Sequence, residues 1–93
     1  MARYTKDPSA TLDYAVDWRE WLAPDGDTIT DSAWTAEPGI TIEQDPAPTA
    51  TGGVVTVWLS GGVTGRSYLV TNRITTALGR VDERSFTLGV LDR

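Results

Sequence analysis

With 93 residues, 8 Lys and Arg against 13 Asp and Glu, and a net charge of -5, the chain has room for one small domain and no field that attracts a phosphate backbone, so nucleic acid is not an expected partner. It has no cysteine, which rules out a disulfide framework or thiolate metal site, and no histidine, which rules out an imidazole base or a serine-type triad. A domain this size buries only about 60–65% of the surface its unfolded chain exposes, and no apolar run approaches the roughly 20 residues of a membrane span, so a single shallow core without a membrane partner is expected.

Residues 1–11 are polar, contain Pro8 and show no period, which predicts an N-terminal arm that gains order on a partner, ahead of a domain over 12–93. From Leu12 to Trp18 the apolar positions Leu12, Tyr14, Val16 and Trp18 alternate with Asp13, Ala15 and Asp17, the period of a strand. The spacing then changes to three and four, so Trp18, Trp21 and Leu22 share one side of a helical turn that stops at Pro24-Asp25-Gly26-Asp27. Trp18 and Trp21 are assigned to a structural plug at one end of the domain.

Two short β-branched stretches follow, Thr28–Thr35 and Thr41–Glu43, with the turn Pro38-Gly39 between them. Ile29 and Trp34 are an odd number apart, so they face opposite sides or a bulge separates them. Trp34 is the expected central core tryptophan. Residues 45–53 hold Pro46, Pro48 and Gly52-Gly53 with no period, as in a loop or a change of strand at a sheet edge.

The closing half has the clearest pattern. Val55, Val57 and Leu59 fall on one face of the run 54–60, Tyr68, Val70 and Ile74 on one face of the next, and Phe86, Leu88 and Val90 on one face of the last. About seven short antiparallel strands with no long helical pattern predict an all-β sandwich. Tyr68 follows the Ser60–Gly65 corner and precedes Val70 by two residues, as the corner tyrosine of immunoglobulin-like sandwiches precedes their buried strand position. The fold class expected is therefore an immunoglobulin-like β-sandwich, with Tyr68 and Val70 as structural residues.

No catalytic set emerges, and no cofactor is implied. Asp25, Asp27 and Asp31 lack the spacing and distal Glu of a calcium loop, so a solvated turn is the favoured reading. Asp82 and Glu83 are adjacent on a strand and point to opposite faces, so they cannot flank one bond. Four tryptophans raise the alternative of a carbohydrate-binding module stacking sugars on exposed indoles. Trp58 lies opposite the valine face, so it is either exposed or the core residue with the valines outside, and core packing or cover by a neighbouring subunit accounts for it without a ligand.

The ordered set Leu12-Asp13-Tyr14, Val16-Asp17-Trp18, Trp21-Leu22, Gly26-Asp27-Thr28-Ile29, Trp34-Thr35, Val57-Trp58-Leu59-Ser60-Gly61-Gly62, Tyr68, Val70-Thr71-Asn72, Ile74-Thr75-Thr76, Gly79-Arg80 and Asp82-Glu83-Arg84-Ser85 resembles the fibre-tail adaptors of tailed bacteriophages. The resemblance spans residues 12–90. It implies a non-enzymatic virion structural protein with an immunoglobulin-like fold, folded in the host cytoplasm before assembly and joined as a symmetric homo-oligomer to tail, neck, fibre or capsid proteins. A capsid decoration protein is the nearest alternative. Arg3 and Tyr4 of the arm, Trp58, and the charged rim Arg80, Asp82 and Arg84 are the candidate protein-interface residues.

Overall fold

The alternating runs become the inner faces of two sheets in the computed structural model, which describes residues 2–92. Strands β1 (Ala2–Lys6), β8 (Val81–Val90), β7 (Ser67–Thr76) and β3 (Ile29–Ala36) form one sheet in that order. Strands β2 (Leu12–Asp17), β6 (Val54–Gly61) and β4 (Ile40–Ile42) form the other, with β5 (Thr49–Thr51) pairing the opposite end of β6 on the same side as β4. The sheets pack into a sandwich whose only α-helix among the described residues is the single turn α1 (Arg19–Leu22), running on into a 3-10 turn at Ala23–Asp25.

The strand faces follow the period-two reading. Val55, Val57 and Leu59 are fully buried, as are Val70, Ile74, Leu88 and Val90. They make two adjoining clusters, one around Val57, Leu59, Tyr68 and Phe86 and one around Trp18, Leu22, Val55 and Ile74, with Val16 and Trp34 packed against both. A register shift between Ile29 and Asp31 puts a bulge in β3, which lets Ile29 and Trp34 face the same interior despite their odd spacing.

Four sequence expectations are corrected. Residues 2–6, expected in a partner-dependent arm, form β1, and β1 runs parallel to β8 from Ala2 opposite Phe86 to Lys6 opposite Val90. The period was hidden because the third inward position is a lysine. Lys6 is fully buried, and its ammonium donates to the carbonyls of Asp7 and Ala10, both at 2.7 Å. Burial lowers its pKa, against the opposing pull of Asp7. Second, the described residues hold eight strands, and the β1–β8 pair is parallel, so the sandwich is not wholly antiparallel. Third, the aperiodic stretch 45–53 contains β5, whose three small residues are all exposed and leave no apolar signature. Fourth, Trp18 and not Trp34 is the fully buried tryptophan. Trp34 is half-buried on the edge strand β3, whereas Trp18 is sealed between the sheets beneath α1.

Candidate protein interfaces

At the α1 end, most of the charged side chains are engaged within the domain. The Trp18 indole N–H donates to Asn72 Oδ1 at 3.0 Å, and Asn72 in turn donates to Ser32 Oγ at 2.8 Å. Trp21 meets Trp18 edge-on, with ring centres 5.3 Å apart. Arg84 lies 4.2 Å over the Trp18 ring and donates to the Asp17 carbonyl at 2.8 Å. Arg80 lies 4.1 Å over Trp21, with Nε 3.0 Å from Asp27 and Nη1 3.1 Å from Asp25. Stacking of a guanidinium on an indole contributes about 0.5–2 kcal/mol, more as water is excluded.

Asp27 is the hub of that end. Burial works to raise its pKa, but bonds from the Thr76 hydroxyl, the Thr28 N–H, Arg80 and the Leu78 N–H outweigh it and hold the carboxyl at about 2. Asp17, clamped by the Arg19 side chain and N–H, is also held at about 2. The Asp25-Gly26-Asp27 turn is therefore not the solvated turn expected, because Asp27 is buried and Arg80 pairs with both carboxylates. Among the described residues, no group of carboxylates is arranged to hold a metal ion. Asp82 is exposed and accepts from the Glu83 N–H at 2.8 Å.

Tyr68 is buried, and its hydroxyl accepts the Val63 N–H at 2.9 Å, tying β7 to the corner before it. That corner needs glycine. A Cβ on Gly62, at φ +94, would stand 2.5 Å from Val90 Cγ2, and one on Gly39, at φ +113, would stand 2.8 Å from the Tyr68 ring. Val70 lies two residues on, fully buried.

The remaining candidates lie at or near the surface. Arg3 points out from β1 and donates to Ser67 Oγ at 3.1 Å. Tyr4 is 38% exposed, with its ring 5.4 Å from Tyr14 and 5.2 Å from Phe86. It walls a groove of about 540 Å³ between β1 and β2 that also takes in Ala15, Val16, Asp17, Arg84 and Phe86. On the opposite sheet, Trp58 is half-buried on the outer face of β6, while the valine face of the same strand is fully enclosed.

The structure therefore brings Arg80 and Arg84 together with Trp18 and Trp21, and leaves Arg3 and Trp58 on separate outer faces. Sequence reasoning missed Lys6, Asn72 and Asp27. Asn72 had a signal, since it shares the inward parity of Tyr68, Val70 and Ile74 and so had to be a buried polar group with a partner. Asp27 had none beyond its turn.

Among the described residues the geometry offers packing surfaces on both outer faces. No curated protein matches the chain. A family model described as podophage GP4 fiber-tail adaptor protein gp77 matches residues 6–89, from the last residue of β1 to the penultimate residue of β8. The chain belongs to this podophage fiber-tail adaptor family and is a non-enzymatic structural component of the virion.

Proposed function

We propose that this adaptor is an immunoglobulin-like sandwich held between tail and fibre components by its two outer faces, and repeated as a symmetric homo-oligomer around the particle. An adaptor must engage two neighbours at once, and the outer faces of a sandwich point in opposite directions. One carries Arg3, Leu69 and the Arg73–Glu83 pair, and the other carries Trp58. Repetition lets a modest contact per copy give durable attachment.

The immunoglobulin-like reading is supported by the order of β2, β6 and β4 with β5 against β3, β7 and β8, by the Tyr68 corner bond, and by a tryptophan on β3. The first strand departs from the simplest such layout, lying beside the last strand instead of beside the second.

The observation that carries the docking role is Trp58. The core is complete on the other side of β6, so a monomer gains little from an indole there, whereas interfaces are enriched in tryptophan. The test is incorporation of Trp58→Ala into particles, counted by quantitative mass spectrometry. A variant that folds but is missing from particles fits the proposal. Full wild-type copy number of the variant would sink it. The wild-type count is expected to be a fixed multiple matching the tail's rotational symmetry.

A further inference from the structure

Across the outer face of the second sheet, Asp13 on β2 is the register partner of Trp58, and on the other side the Glu43 N–H donates to the Trp58 carbonyl at 2.9 Å. The indole thus has a carboxylate residue on each flank at cross-strand distance. Ser60 Oγ donates to Glu43 Oε2 at 2.6 Å and steadies that carboxylate. The residues before and after on β6's outer face, Thr56 and Ser60, are small, so the half-buried indole is the one large side chain along that face of the strand.

No cation of this sheet answers the charge. Strands β2, β4, β5 and β6 contain neither lysine nor arginine, and Arg19, just beyond β2, is bound to Asp17 at 2.7 Å. Elsewhere the same molecule shows twice what a tryptophan beside polar oxygens takes. Trp18 takes Arg84, which also bonds the Asp17 carbonyl, and Trp21 takes Arg80, which also bonds Asp25 and Asp27. Among the described residues, no guanidinium or ammonium lies over Trp58.

We propose that Trp58, Asp13 and Glu43 form a receptor for an arginine side chain presented by a neighbouring tail or fibre protein. The guanidinium plane stacks on the indole while its edge donors reach the flanking carboxylates, a combination lysine cannot reproduce. Small neighbours around the ring allow the partner's backbone to come close. A different protein is favoured over a second copy because this chain carries a net charge of -5, so copies repel where a basic partner is drawn in. The inference rests on the reading of Trp58 as a contact with a neighbour.

The experiment adds purified chain to particles assembled without it and measures bound copies against sodium chloride concentration. Wild-type binding is expected to weaken with salt. The double variant Asp13→Asn with Glu43→Gln should bind about tenfold more weakly, with a flatter salt dependence and an unchanged melting temperature. Treating the adaptor-free particles with an arginine-selective dicarbonyl should abolish binding, and acetylating their lysines should not. If the double variant binds like wild type while Trp58→Ala does not bind, the arginine receptor falls and the contact reading survives. If Trp58→Ala also binds like wild type, both fall. Self-association of the isolated chain that is lost in the double variant would make the occupant a second copy and overturn the proposal.

Discussion

Trp18 and Trp58 show how one residue type serves two ends within 93 residues. Trp18 is enclosed by α1, bonded through its ring nitrogen to Asn72 and covered by an arginine of its own chain. Trp58 has carboxylate residues beside it but no such cover, and it lies on the outside of a strand whose inner face is already filled. Where the chain supplies every partner, an indole is architecture. Where it supplies all but one, the indole is an opening for another protein.

Substitutions should separate the two. Trp18→Ala empties the second cluster and orphans Asn72, and is expected to cost about 3–5 kcal/mol in chemical denaturation, enough to unfold much of the population. Asn72→Ala keeps the ring but strands its N–H, an expected loss of about 1–3 kcal/mol by the same measurement. Tyr68→Phe removes only the bond from Val63 and should cost about 1 kcal/mol. Trp58→Ala removes a half-buried indole from outside the core and should cost about 1 kcal/mol or less, with its main effect on assembly. A Trp58→Ala loss as large as that of Trp18→Ala would erase the distinction.

Acid sharpens the contrast further. Asp27 and Asp17 are held at about 2, below the usual carboxylate value of about 3.9, so the folded state keeps these charges more firmly than the unfolded chain does. Their stabilisation is full above about pH 5 and is lost as pH falls toward 2. Thermal melts at pH 6 and pH 2.5 should show a clear drop for the wild type. Asp27→Asn should melt lower at pH 6 and show a smaller drop, the remainder reflecting Asp17.

Periodicity carried the fold as far as side chains alternate by polarity. The runs around Val57, Val70 and Leu88 announce their inner faces because both sheets cover them. The same logic failed at β1, where a buried lysine is satisfied by two carbonyls that only the folded turn at 7–10 supplies. It failed at β5 because an edge strand exposed on all three residues needs no apolar code. Parity put Trp58 opposite the valines but left open which face is buried, because both faces of that strand are apolar, and only the packing of the two sheets decides it. The engagement of Arg80 and Arg84 was not legible, because both meet their tryptophans across distant chain segments that no local spacing relates.

The parallel pairing of β1 with β8 also sets an order of events during synthesis. β1 is synthesised well before β8, its hydrogen-bonding neighbour, so β1 must wait, unpaired, until β8 has emerged. A nascent or truncated chain lacking β8 therefore exposes Tyr4 and leaves Lys6 without its strand's partner. Only chains that include β8 present a closed sheet to the growing particle.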